Sequence, residues 1–379
     1  MSETGENRQI LLTPGPLTTS DTVKQAMLRD WGSRDSAFIE MTARIRQRLT
    51  TLAHGEDTHS CVPVQGSGTF AVEATLGTLL PRESSKLLIL INGAYGRRMQ
   101  KICQTMGRSC TTYETAEDMP PDPNRVAQLL EDDSTITHVS VVHCETTSGV
   151  LNPIEAIAEM AAAAKRRLIV DAMSTFGALP IDLRRMKADA IIASANKCLE
   201  GVPGMGYAII EKDTLAASEG NALSLSLDLH DQATYMDRTG QWRFTPPTHV
   251  LAALDQALNE LDAEGGVAAR GARYGANCGV LVSGLRDLGF ETFLPDLLQA
   301  PIIVTVRMPA DPAFDFARLY DLLNDRGIVL YPGAITQEIS FRIGCIGRIG
   351  ETDMKRALGA IEQALGQMGV SREGLRPAS

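Results

Sequence analysis

Two charged residues, Asp171 and Lys197, stand 26 positions apart, each where a short apolar run ends. Arg167-Leu168-Ile169-Val170 leads into the first, and Ala190-Ile191-Ile192-Ala193-Ser194-Ala195-Asn196 into the second. Runs of this length followed by glycine- and proline-bearing turns read as buried strands. In an open parallel sheet, the crevice outside the carboxyl ends of the strands is where ligands bind. A carboxylate and an amine placed there suit pyridoxal phosphate (PLP). The amine can form the imine link to the cofactor, and the carboxylate can keep the pyridine nitrogen protonated so that the ring accepts electrons. Taken singly, each residue also fits a plainer role, the aspartate capping a turn and the lysine solvated at a surface.

Other residues fall at neighbouring strand ends. Gln65-Gly66-Ser67-Gly68-Thr69 follows the apolar stretch 61–64 and precedes a helical pattern over 70–79. A glycine-rich turn entering a helix offers free N–H groups and the positive end of the dipole to a phosphate, or else forms an ordinary capped helix start. No lysine follows Gly68, so this is not a Walker A loop. Tyr95, in Asn92-Gly93-Ala94-Tyr95-Gly96, could stack on a planar ring or fill a helix start. Glu145-Thr146-Thr147-Ser148-Gly149 brings hydroxyls to the same edge. Phosphate donors, an aromatic ring, hydroxyls, an acid and an amine thus converge on one rim. Gly201-Val202-Pro203-Gly204, beyond Lys197, neither matches GxGxxG nor opens a helix, which excludes a dinucleotide-binding reading. Arg342 sits among apolar neighbours and requires an anionic partner, either a ligand carboxylate or phosphonate or an acid of its own domain.

The elements that must position these groups alternate. Strands are expected at 86–91, 138–143, 167–171, 190–194 and 206–211, with helices at 95–106 and 153–165 between them. That rhythm predicts an α/β layer with a mostly parallel sheet. A long helical stretch over 248–288, broken at Gly265-Gly266, leads into a smaller α+β unit. Its expected elements are 302–307, 314–326, 328–330, 339–343 and a last helix over 351–368, followed by a polar, frayed tail from Ser371. The expected division is an N-terminal arm over 1–20, a large domain over 21–260 and a small domain over 261–379, with the boundary near 250–265.

Composition excludes several classes. The chain has 379 residues, 44% hydrophobic and 22% charged, and no uncharged apolar stretch long enough to span a membrane. Residues 1–8 are polar and lack the apolar segment of a secretory signal. Seven scattered cysteines without a CxxC pair suit reduced thiols in a cytoplasm, and the six histidines do not cluster as metal ligands. A net charge of -10 disfavours nucleic acid and anionic membranes, so an anionic substrate needs its own arginines.

Ser194-Ala195-Asn196-Lys197-Cys198 with Gly201-Val202-Pro203-Gly204, and Val170-Asp171-Ala172-Met173-Ser174, resemble the class V, fold-type-I PLP-dependent aminotransferases. Four further segments are closer still to the 2-aminoethylphosphonate–pyruvate transaminase family within that class. They are Leu11-Leu12-Thr13-Pro14-Gly15-Pro16-Leu17-Thr18-Thr19-Ser20, Gln65 to Thr69, Asn92 to Gly96, and Arg243-Phe244-Thr245-Pro246-Pro247-Thr248-His249. The resemblance runs over about residues 10–367. It implies a large domain with a mostly parallel sheet between helices and a smaller C-terminal α+β domain. It makes Lys197 the cofactor-bonding lysine, Asp171 the partner of the pyridine nitrogen and Tyr95 the stacking ring. Ser67, Gly68 and Thr69 would hold the phosphate, joined by Thr245 from the other subunit of a homodimer. Thr147, or Thr146, would contact the phenolic-oxygen side, and Arg342 would bind the substrate anion. The implied reaction moves an amino group from 2-aminoethylphosphonate to pyruvate, giving phosphonoacetaldehyde and L-alanine. Arg34 departs from the tryptophan often found there in the family, which leaves the amino donor open. Alanine–glyoxylate and serine–pyruvate aminotransferases share every cofactor residue. A desulfurase-type lyase would need a reactive loop cysteine, and a PLP-fold binding module would not need Lys197 and Asp171.

Overall fold

A computed structural model describes residues 9–331 and 337–375. The polar start over 1–8 and the last four residues of the tail lie outside the described residues.

The chain builds a seven-stranded sheet in the spatial order His59–Gln65, Met205–Glu211, Ala190–Ser194, Arg167–Asp171, His138–Val142, Leu87–Ile91 and Cys110–Glu114. Met205–Glu211 runs antiparallel to both neighbours, and the remaining pairings are parallel. The sheet is therefore mostly parallel, as the alternating pattern predicts. Leu87–Ile91, His138–Val142 and Ala190–Ser194 are buried along their whole length. Strands covered by helices on both faces need apolar side chains at every position, which explains why their sequences do not alternate. Helices Gly68–Leu79, Ala94–Thr105 and Ile154–Ala163 connect and cover them.

The long helical stretch is two helices, Thr248–Glu264 and Gly266–Leu288, parted by Gly265 at φ 109°. The second helix packs on a separate C-terminal core that also holds Ile303–Arg307, Ser340–Gly344, Phe316–Asn324 and Glu351–Met368. Ile10–Leu12 crosses over to this core and pairs in parallel with Ile328–Leu330. We propose the division at 20 and 260 as the domain organisation; two separate apolar cores support two units, the arm packing with the small one, although Leu261 still packs with the large core and the helix runs on to Glu264.

The expectation of a frayed tail fails over 371–375. Glu373–Leu375 forms a 3₁₀ turn, Asp311 N–H donates to Gly374 O at 3.1 Å, and Leu375 is 1% exposed in the C-terminal core. One well-placed leucine supplies the apolar burial that a purely polar tail would lack. Among the described residues no helix is long and apolar enough to cross a membrane.

Candidate active site

A cavity of about 430 Å³ opens where the parallel strands end. Ser67, Gly68, Thr69, Tyr95, Asp171 and Lys197 all lie on its wall. Each arrives there for a local reason. Ser67 ends the turn after His59–Gln65 and occupies the N-cap of Gly68–Leu79, yet its hydroxyl makes no capping bond and remains available. Gly68 and Thr69 begin that helix, whose first N–H groups have no intrahelical acceptor. This end of the cavity is built for an anion.

Asp171 is the last residue of its strand, is 4% exposed, and accepts one bond from Met173 N–H at 2.9 Å. Burial pushes its carboxyl up to about 6, and nearby Glu145 adds to the rise. A carboxylate so deeply placed gains by meeting a cationic partner. Lys197 follows the adjacent strand Ala190–Ser194 and donates to Pro14 O at 2.8 Å and Gly15 O at 3.2 Å. Burial lowers its amine to about 8, against the pull of Cys198 and Asp171.

Tyr95 stands at the start of Ala94–Thr105. The helix start is fixed by Glu145, which is fully buried and accepts from Tyr95 N–H at 3.2 Å, Gly96 N–H at 3.3 Å and Thr147 N–H at 3.1 Å. Thr147 spends its hydroxyl on the same cluster. It donates to Glu145 Oε1 at 2.6 Å and accepts from Ala94 N–H at 2.8 Å. Thr146 reaches the cavity wall, and Thr147 does not.

Arg342, at the centre of Ser340–Gly344, is 1% exposed. Its Nη1 donates to Thr146 O at 2.8 Å, its guanidinium lies 4.9 Å from the Tyr331 ring centre, and Nε has no hydrogen-bond partner. Among the described residues no carboxylate pairs with it, so the domain acid that a structural ion pair requires is missing. Burial depresses its pKa, offset in part by Tyr95, Tyr331 and Glu145.

Arg342 and Thr147 do not line the cavity themselves, although Arg342 contacts Thr146 and Tyr331 on its wall, and two more residues stand apart. Thr245 and Arg34 are both exposed, and neither lines this cavity. Three contributors escaped the sequence reading. Arg98 lines the cavity with its guanidinium 4.7 Å from the Tyr95 ring centre. Its spacing of three from Tyr95 on one helix was the available signal. Glu145 and the Pro14–Gly15 carbonyls left no signal beyond an acid in a hydroxyl-rich turn and a glycine between prolines. Six cysteines are buried and Cys110 is half-buried, which removes the mobile, reactive thiol that a desulfurase needs. Elsewhere, Asp228, His230 and Asp231 bring ligand atoms within 4.8 Å of one another, but Asp231 already pairs with Arg243 at 3.0 Å.

The comparisons agree with this geometry. The model of the family "Aminotransferase class-V" matches residues 20–347. A 2-aminoethylphosphonate–pyruvate transaminase of Pseudomonas fluorescens is 55% identical over 361 residues, covering 95% of this chain and 98% of its own. A second protein of that name, from Burkholderia lata, is 56% identical over 363 residues, covering 96% of each chain. The crystal structure of pyridoxamine–pyruvate aminotransferase from Mesorhizobium loti superposes with a TM-score of 0.87 at 26% identity, over 97% of this chain and 95% of that one. A lysine and an aspartate at neighbouring strand ends, a helix start opening on the same cavity and a match over nearly the whole chain lead to one conclusion: this protein belongs to the class V aminotransferases.

Proposed function

We propose that the protein transfers the amino group of 2-aminoethylphosphonate to pyruvate, giving phosphonoacetaldehyde and L-alanine, with pyridoxal phosphate as cofactor and a homodimer as the working unit. The observation that carries the substrate reading is Arg342, a fully buried guanidinium that does not itself line the cavity but bonds Thr146 and faces Tyr331, both on its wall, and that has, among the described residues, no carboxylate partner and an idle Nε. A buried cation without a counter-ion is costly, so an anion arriving from outside gains the whole of that unmet interaction. A planar fork accepts either a phosphonate or a carboxylate, which is what the two half-reactions present in turn. Phosphonate breakdown, the role that these substrates imply, accords with the same reading.

The residues present fit the cofactor. The helix start at Ser67, Gly68 and Thr69 offers N–H and hydroxyl donors to its phosphate, Tyr95 offers a ring face, and Asp171 lies buried at the floor. Thr146 replaces Thr147 as the threonine toward the phenolic side, because Thr147 has no free hydroxyl. When bound, the cofactor supplies an electron sink for charge left on the substrate carbon. Asp171 would hold the ring nitrogen and favour its protonated form. Lys197 would be the residue that holds the cofactor and, once its amine is free, the base that takes a proton from the substrate carbon. An amine held near 8 is partly unprotonated at neutral pH, which suits a base. Arg342 orients the substrate by its anionic end. A cytoplasmic setting is supported by seven cysteines that are all free thiols.

Arg342→Lys tests the assignment. It keeps the charge but loses the fork, so each half-reaction should weaken by roughly 1–3 kcal/mol while the visible absorbance of the resting enzyme is unchanged. Rapid-mixing measurement of both half-reactions decides. Near-normal affinity for both substrates in a variant that melts early would return Arg342 to a structural role.

A further inference from the structure

Lys197 is held at both ends. Its amine rests on the carbonyls of Pro14 and Gly15, and Gly15 adopts φ +112°, where an added Cβ would lie 2.5 Å from Lys197 Cδ. Only glycine lets this backbone come so close. At the other end, Lys197 O accepts Glu200 N–H at 2.8 Å, closing a turn in which Glu200 takes φ 62°. A non-glycine residue keeps a left-handed conformation only where its surroundings over-determine it.

The surroundings here are a buried charge cluster. Glu200 is 1% exposed and accepts from Tyr274 OH at 2.6 Å and Arg273 Nη2 at 2.7 Å. Arg273 Nε donates to Glu264 Oε1 at 2.7 Å, and Nη1 donates to Gly347 O at 2.5 Å and Ile349 O at 3.0 Å. Arg270 donates to Cys198 O at 3.0 Å and pairs with Glu264 at 2.9 Å. Two arginines face two glutamates, so the cluster is neutral as a whole. Burial alone would weaken the protonation of Arg273, and Glu264 and Glu200 outweigh it.

Two routes run from Arg273 to Lys197. The first passes through Glu200 to the lysine's backbone carbonyl. The second passes through the turn at 347–349, whose central N–H, that of Arg348, donates to Thr18 O at 2.7 Å. Thr18 Oγ1 in turn accepts Leu11 N–H at 2.8 Å, which secures the segment carrying the Pro14 and Gly15 carbonyls. We propose that Arg273 is a positioning residue for Lys197, fixing its backbone and the seat of its amine together from a distance. The inference rests on Lys197 being the cofactor-bonding residue. A cluster that served only to join helices would need neither the strained Glu200 nor the link to the 347–349 turn.

The test separates occupying the site from reacting in it. Cofactor-free protein is titrated with 4′-deoxypyridoxine phosphate, which lacks the aldehyde and reports binding alone. It is then mixed with pyridoxal phosphate, and covalent capture is followed by visible absorbance and borohydride trapping. Arg273→Gln is expected to keep its affinity for the analogue within about twofold and to slow capture about tenfold or more, because a small misplacement is costly in rate. Arg273→Lys should recover part of the rate, since one ammonium reaches some of the same acceptors. Tyr274→Phe removes one bond to Glu200 without changing charge, and should slow capture a few-fold at temperatures well below its somewhat lowered melting point while affinity for the analogue holds; it decides the matter if Arg273→Gln does not fold. Unchanged capture in the folded variants, or equal loss of analogue affinity and capture, overturns the proposal. Trapping on a lysine other than Lys197 in the wild-type protein would instead overturn the reading of Lys197.

Discussion

Lys197 and Asp171 are charges placed where water stabilises them poorly, and both shifts come from that. The amine falls from 10.5 to about 8, with Asp171 and Cys198 raising it and Arg342 and Arg98 lowering it further. A lysine depressed in the folded state binds fewer protons there than when unfolded, so stability rises with pH between those values. In cofactor-free protein, Lys197→Met should therefore gain melting temperature relative to wild type most below pH 8. The gain should shrink as pH rises toward 10, and a difference independent of pH would show that the amine is not desolvated. Asp171→Asn should fold normally and lose about two orders of magnitude in transamination rate, since a neutral amide no longer favours a protonated ring nitrogen. Steady-state rates and melting curves on that one variant check it; a mild loss would mean that Asp171 does not hold the ring nitrogen. At this scale the sequence was legible wherever a residue's type implied its chemistry. It was silent where direction mattered. Thr146 and Thr147 are neighbours of one type, and only the hydrogen bonds that consume the Thr147 hydroxyl distinguish them.

The elements explain why these residues meet. Arg167–Asp171 and Ala190–Ser194 are adjacent parallel strands with Asp171 opposite Ile192, so the turns leaving the two strands emerge on the same edge. The pattern of short, fully apolar runs made these strands readable to the residue. Cys110–Glu114 was missed because it is an edge strand of polar, half-exposed residues. Ser36–Leu52 was missed although Phe38, Met41, Ile45 and Leu49 bury one helical face behind the N-cap residue Asp35. That spacing was readable in principle. The helix carrying Tyr95 and Arg98 owes its position to Glu145, and the contact leaves no room at Gly93, where a Cβ would meet Glu145 Cδ at 2.5 Å and Thr147 Oγ1 at 2.6 Å. Those atoms are buried and fully bonded, so they cannot move aside cheaply. Gly93→Ala should cost about 1–3 kcal/mol by overpacking. It should also weaken pyridoxal phosphate binding, because Tyr95 is displaced with its helix. Calorimetry and a cofactor titration check both effects, and an unperturbed Tyr95 would leave the second unchanged.

The whole molecule raises the question of what a single chain lacks. Its cavity is lined by one helix start with free N–H groups, while Thr245, expected to add a further donor, is exposed and off the wall. Phe244 beside Thr245 and Phe70 beside Thr69 are each 50% exposed. Large apolar side chains left open to solvent are typical of surfaces that a partner covers. Both observations favour a dimer in which each chain completes the other's phosphate site, and a two-fold arrangement makes the exchange reciprocal. Mixing two inactive variants tests this directly. Lys197→Ala removes the lysine from its own site, and Thr245→Val removes the donor that the chain would lend to its partner. In a hybrid dimer, one site then carries both defects and the other carries neither. After equimolar subunit exchange about a quarter of all sites should be intact, so activity should climb toward that fraction of wild type from a low starting level. If Thr245 serves its own chain, every site in the hybrid keeps one defect and mixing restores nothing. If the chain works as a monomer, sedimentation will show no hybrid at all, and a fully loaded, active monomer would remove the reason for placing Thr245 at the cofactor.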